Sequence, residues 1–206
     1  MSHDLETSCR CGKVQYRIVN ATPEKFLGRG VCYCEDCQSF AHYLGDASTV
    51  LDERGGTEVF QTQPRFLEFT SGIDQLAAMR LSNRGPIRWY AKCCNSPIGN
   101  SVPTRAVAFT GLITRPGQLS AADDTAIGGE KIAIFPDLAK GGPDPALKQT
   151  SMAWLVIKNI FVAAGAFLMG RHKKTPFFTD DGRPIVDPEI LNDDEREALL
   201  KKVRAA

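Results

Sequence analysis

The chain has 206 residues, 43% of them apolar and 24% charged, with a formal net charge of +1. This is an ordinary globular composition, long enough to bury a substantial core. The near-neutral balance excludes a strongly basic nucleic-acid-binding surface, and no nucleic acid is expected as a partner.

In chain order, the first ten residues, MSHDLETSCR, carry no charged segment followed by an apolar run. With no export signal read there, a cytoplasmic location is expected. Cys9-Arg10-Cys11-Gly12 comes next, a short knuckle-like signal, and then Val14-Gln15-Tyr16-Arg17-Ile18, whose period-two alternation predicts a strand. Cys32-Tyr33-Cys34-Glu35-Asp36-Cys37 follows, with His42 five residues beyond it. Arg65-Phe66-Leu67-Glu68-Phe69 and Ala106-Val107-Ala108-Phe109 alternate like the first strand. Turn signals fall at Gly55-Gly56, Ser71-Gly72, Asn83 to Pro86 and Pro116-Gly117. Arg84, Arg88 and Lys92 precede Cys93-Cys94 and read as a solvated strand edge, with a carboxylate-binding cluster as the sharper alternative. Trp89-Tyr90 reads as core packing. Strands at this spacing without intervening helical periods predict an antiparallel β fold.

The pattern changes after residue 120. Lys140 to Pro145 is a Gly/Pro loop, and Met152 to Met169 is a strongly apolar helix. Asn192, with Glu195 three residues on, predicts the N-cap of a last helix through Leu199, Leu200 and Val203. The expected architecture is mainly β, with a zinc-binding β domain over 6–120 and a mainly helical extension over 121–206 packed on it. The apolar helix would rise about 27 Å at roughly 1.5 Å per residue, close to a bilayer core. Lys158 in its middle costs about 2.5–3.5 kcal/mol in lipid, so burial against the β core or a second subunit is the preferred reading. Weak contact with a membrane surface, aided by Arg171-His172-Lys173-Lys174, is the alternative.

Seven cysteines, an odd total in tightly spaced groups, favour metal over disulfides in a chain without a visible export route. Cys32, Cys34 and Cys37 can turn three sulfurs toward one ion, and three ligands on tetrahedral zinc leave a place for water or substrate. The competing arrangement closes that site with Cys93 or His42.

These motifs carry a resemblance. Cys9-Arg-Cys11-Gly12-Lys-Val14-Gln-Tyr16, the Cys32/Cys34/Cys37 run with Gln38, and Cys94-Asn95-Ser96-Pro97-Ile98 are similar to the glutathione-dependent formaldehyde-activating family, whose domain is shared with centromere protein V. The resemblance covers roughly residues 6–112. It implies an Mss4-like β fold with two zinc sites: a structural one from Cys9, Cys11 and a late Cys-x-x-Cys, and a catalytic one at Cys32, Cys34 and Cys37. It also implies carbon–sulfur lyase chemistry on a thiol–aldehyde adduct of the glutathione type. In the family pattern the late pair would begin at Ala91, where Cys93 now stands beside Cys94 instead. The metal set is therefore either Cys9, Cys11, Cys93 and Cys94, or Cys9, Cys11 and Cys94 with water, or empty. The family's histidine inside the triplet is Tyr33 here, and its following arginine is Gln38. Two functions are expected from different classes: this zinc-dependent lyase acting on a small thiol or its adduct, and a non-catalytic zinc module for protein or membrane-surface contact.

Overall fold

The computed structural model describes residues 3–45 and 47–205. The chain runs through β1 (His3–Ser8), β2 (Gln15–Ala21), β3 (Phe26–Cys32), α1 (Glu35–Tyr43), α2 (Ala47–Val50), β4 (Thr57–Thr62), β5 (Leu67–Ser71) and β6 (Leu76–Arg80). It continues through β7 (Ile87–Ala91), β8 (Ser96–Ser101), β9 (Thr110–Thr114), α3 (Ala121–Ile127), β10 (Lys131–Ile134) and β11 (Lys148–Gln149). The last elements are α4 (Met152–Leu168), β12 (Glu189–Ile190) and α5 (Asp193–Ala205).

The protein is mainly β. A three-stranded antiparallel sheet has the order β1-β2-β5, and a nine-stranded sheet has the order β11-β10-β3-β4-β9-β8-β7-β6-β12. The antiparallel expectation holds from β3 to β6 in that order. The whole large sheet is mixed, however, because β10 runs parallel to β3 and β11, and β12 parallel to β6. The pairings of β10 with β3 and of β12 with β6 join residues about a hundred apart in sequence, which local patterning does not register. The C-terminal third therefore contributes edge strands to this sheet as well as helices.

Alternation distributes the side chains between two cores. Along β7, Ile87, Trp89 and Ala91 face the small sheet and pack with Leu5, Tyr16 and Ile18. Phe177 closes this side by stacking on Trp89, ring centroids 4.8 Å apart. On the opposite face, Phe40 of α1, Leu44 just past its end and Leu199 of α5 pack with Met79 and Ile113. Arg88 and Tyr90 fall on this helical side, where Phe40 lies 6.4 Å from Tyr90 ring to ring and under the Arg88 guanidinium.

Two predicted strands shift. The Arg65–Phe69 alternation begins in a 3-10 turn at Pro64–Phe66, and β5 starts at Leu67. Ala106–Phe109 is a loop; the strand is β9, Thr110–Thr114, buried along its whole length between β4 and β8. A strand covered on both faces has no reason to alternate, so the alternation before it pointed to the wrong residues. The Ser71-Gly72 turn is as expected: Gly72 has φ +68°, and a Cβ there would meet the Lys13 carbonyl oxygen at 2.2 Å.

The apolar helix α4 does not bury itself in the core. Among its described residues Ala166 is buried, while Val156, Ile157, Ile160, Phe161 and Leu168 are exposed, Phe161 by 73% and Leu168 by 86%. A helix apolar on all sides can press only one stripe against the sheet. Lys158 lies on the inner side and donates to the Leu27 carbonyl at 2.8 Å. Among the described residues no helix is long and apolar enough to cross a membrane. At the far end, α5 begins as predicted: Asn192 Oδ1 accepts from the Glu195 N–H, and Glu195 Oε2 accepts from the Asn192 N–H, both at 2.9 Å.

Candidate metal centres

Two groups of cysteines are placed to hold a metal ion, each with its sulfurs within 4.8 Å of one another. All seven cysteines are free thiols.

The first group is built from two turns. Between β1 and β2 the chain folds back over Cys9 to Val14: Gly12 sits at φ +75°, and the Val14 N–H donates to Cys9 Sγ at 3.3 Å. Between β7 and β8, Lys92 to Asn95 form a four-residue turn in which the Cys94 N–H reaches the Ala91 carbonyl at 3.3 Å. Asn95 takes a left-handed φ of +52° to close it. Because Cys93 and Cys94 lie in a turn and not on a strand, both sulfurs can face the same point. The result is Cys9 Sγ 3.6 Å from Cys11 Sγ and 3.8 Å from Cys93 Sγ, with Cys11 to Cys93 at 3.4 Å and Cys93 to Cys94 at 3.9 Å. The two turns are tied by the Arg10 N–H on Ser96 Oγ (2.9 Å) and by the Arg10 guanidinium on the Cys94 carbonyl (3.2 Å). Burial, then contact with the Cys11 and Cys9 thiols, pushes the Cys93 thiol up to about 12. Burial opposes ionisation of Cys94 too, but the Ser96 hydroxyl, the Cys11 N–H and the neighbouring thiols pull it down to about 6.

The second group is built at a strand-to-helix junction. Cys32 is the last residue of β3, held in register with Thr57 of β4 and Ile134 of β10. Cys34 is the N-cap of α1, its sulfur accepting the Cys37 N–H at 3.4 Å. Cys37 lies in the helix's first turn. Cysteine replaces the usual Ser or Asp cap, and the unpaired N–H groups of the helix end favour negative charge on it. Cys32 Sγ lies 3.4 Å from Cys34 Sγ. Among the described residues no fourth His, Cys, Asp or Glu joins this group. Cys93 belongs to the other one, and His42 lies further along α1, its pKa lowered by burial and by Lys140 and Lys202.

The three thiols differ in how readily they ionise. Contacts with Cys34 and Cys37, then burial, hold the Cys32 thiol well above the ordinary range. The Cys32 hydrogen bond draws Cys34 down, but Cys37 and burial win and leave it at about 12. Hydrogen bonds from Cys32 and Cys34 hold Cys37 well below the ordinary range; burial opposes this and the Arg88 charge assists it. The Arg88 guanidinium is 4.0 Å from Cys37 Sγ, 3.4 Å from Asn100 Oδ1 and 4.0 Å from Asp36 Oδ2. Arg196 of α5 reaches the other oxygen of Asp36 at 3.6 Å, and Arg204 bonds Glu35 at 3.0 Å. The C-terminal helix thus clamps both acidic residues that lie between Cys34 and Cys37.

Several residues sit elsewhere than the sequence suggested. Tyr33 is fully buried but in a different cluster, with Val31 and Ala133, while the cysteines pack with Val59 and Ile134. Gln38 is also buried and donates to the Tyr33 carbonyl at 2.7 Å, fastening the helix to the strand. Of the three cations before Cys93, Arg84 and Lys92 are exposed but Arg88 is buried. The solvated-edge reading therefore fails for Arg88, because β7 lies inside the sheet between β6 and β8. The signal that could have found it is alternation: with Ile87, Trp89 and Ala91 in one core, position 88 has to face α1. Nothing local pointed to Arg196 or Arg204, which reach the loop only through the packing of α5 on α1.

The chain belongs to the family described as "Family of unknown function (DUF6151)", which it matches over residues 1–189. A comparison with curated proteins gave no match.

Proposed function

We propose that this member of the family is a zinc-dependent carbon–sulfur lyase-like enzyme acting on the adduct of a small thiol, glutathione in type, with an aldehyde. The observation that carries the reading is the group of Cys32, Cys34 and Cys37, which gathers three sulfurs and no fourth protein ligand among the described residues. All-sulfur donors favour zinc over magnesium or calcium, and three protein ligands leave a corner of the tetrahedron for a reactant. Bonds of about 2.3 Å in tetrahedral geometry set sulfurs about 3.8 Å apart. The sulfur–sulfur separations of 3.4–3.9 Å in the two groups fit that spacing. On this reading Cys9, Cys11, Cys93 and Cys94 hold a second zinc that is structural, the β core is Mss4-like, and the reduced ligands suit the cytoplasm.

Zinc, when bound, would lower the proton affinity of a thiol and polarise a carbonyl. Cys32, Cys34 and Cys37 would hold it, while the α1 N-terminus and Arg88 keep positive charge beside the sulfurs. In the forward direction the substrate sulfur adds to the aldehyde carbon, forming one C–S bond, and the thiol proton ends on the former carbonyl oxygen. The reverse direction breaks that bond and returns thiol and aldehyde. The test is exchange NMR on glutathione plus formaldehyde with the zinc-loaded protein. Exchange above the uncatalysed rate that is lost in Cys34→Ser supports the enzyme. No acceleration, together with no heat on titrating glutathione, sinks it.

A second reading rests on α4. Its outer face is apolar, its one lysine turns inward to Leu27, and Arg171 and Lys173 follow at its end. That combination matches an anionic lipid surface, and the zinc domain would then be a non-catalytic module held there. Co-sedimentation with phosphatidylglycerol vesicles but not phosphatidylcholine vesicles, abolished by Phe161→Glu, supports it. No binding, or a concentration-dependent dimer abolished by the same change, rules it out, and the dimer would assign the face to a second copy.

A further inference from the structure

Among the described residues two arginines are buried, and their surroundings differ. The Arg29 side chain, 5% exposed, has Asp124 at 2.6 Å and Glu58 at 3.2 Å. The Arg88 side chain, 3% exposed, has a single carboxylate, at 4.0 Å, and shares it with Arg196. Its other partners are a neutral amide, an aromatic ring and the sulfur of Cys37. Its Nε–H has no hydrogen-bond partner among the described residues. A guanidinium this deeply buried stays charged and is costly unless an anion faces it.

We infer that the missing anion is the thiolate centre, and that Arg88 is its fixed counter-charge and a positioning residue for Cys37. Three thiolates and one divalent ion sum to −1, which a single arginine neutralises. The fold supplies the rest of the arrangement. Alternation in β7 sends Arg88 to the helical face, Phe40 supports the guanidinium, and Asn100 of the neighbouring strand β8 accepts from one of its nitrogens. The inference deepens the zinc reading above and rests on it for the metal.

Zinc titration of the full chain against chelators of graded affinity tests it, with Cys34→Ser used to identify the step that belongs to the triplet. Arg88→Met should weaken zinc at the triplet by about 10–100-fold, as loss of a residue supporting a metal ligand does. Zinc at Cys9, Cys11, Cys93 and Cys94 should be unchanged. Arg88→Lys, which restores the charge, should recover most of the loss. A merely structural role predicts that both sites weaken together and that lysine fails to rescue; that result overturns the inference. Unchanged affinity at the triplet in Arg88→Met also overturns it while leaving the zinc reading intact. A wild-type chain with no step removed by Cys34→Ser overturns both.

Discussion

The two cysteine groups use one element on two different supports. Cys9 and Cys11 are more than eighty residues from Cys93 and Cys94, and the turns that carry them belong to different sheets. An ion held there would close a long loop and join the small sheet to the large one. Cys32, Cys34 and Cys37 lie within six residues at one strand-to-helix junction, so an ion there would close almost nothing. Its sulfurs are organised instead by local devices: a strand end, an N-cap and a first helical turn. On the proposed reading, four ligands from two turns would make a staple. Three ligands at a helix terminus, with a corner left open, would make a place for chemistry.

Breaking the staple should cost the most. Cys9→Ser is expected to destabilise the protein by on the order of 5 kcal/mol, since metal binding at such a site is folding free energy. Thermal denaturation with zinc present checks this, and a melt equal to wild type would deny the group its structural role.

Breaking the open centre should cost little stability. Cys34→Ser is expected to remove one zinc per chain by elemental analysis yet lower stability by no more than about 1 kcal/mol, because serine is itself a good N-cap. If it melts as low as Cys9→Ser, the contrast between the groups disappears.

The next perturbation acts from outside both groups. Asn192→Ala removes half of the capping box on α5 and should cost about 1 kcal/mol, read in denaturant midpoints. Zinc content at both groups should stay the same; loss at the triplet alone would show that α5 holds the metal loop in place. Arg196→Ala should have the smallest effect, about 0–1 kcal/mol, since its ion pair with Asp36 is partly solvated. A larger loss in the same melts would mean that Asp36 transmits strain to Arg88.

Much of the local structure was legible. The start of α4 at Met152 and the capping box of α5 both stand where their signals placed them, because each depends on residues within one or two helical turns. The Tyr16/Ile18 alternation marked β2 for the same reason. β9 was misplaced because its burial comes from neighbours on both sides and leaves no period in its own residues. The exposure of α4 was hidden for the converse reason: hydrophobicity states what a helix prefers to touch and not whether the fold supplies a partner.

The chain's own order of residues determined the donor chemistry: three sulfurs in six residues, a short Cys-x-Cys-Gly knuckle, and an adjacent late pair. Short-range stereochemistry governs those features, so spacing alone reports them. Tertiary structure decided that Cys93 turns with Cys94 toward Cys9 and Cys11, that the large sheet is mixed, and that Arg88 is buried against Cys37 instead of facing water. Charge and burial at a site are sums over neighbours brought from distant parts of the chain, and only folding assembles those neighbours.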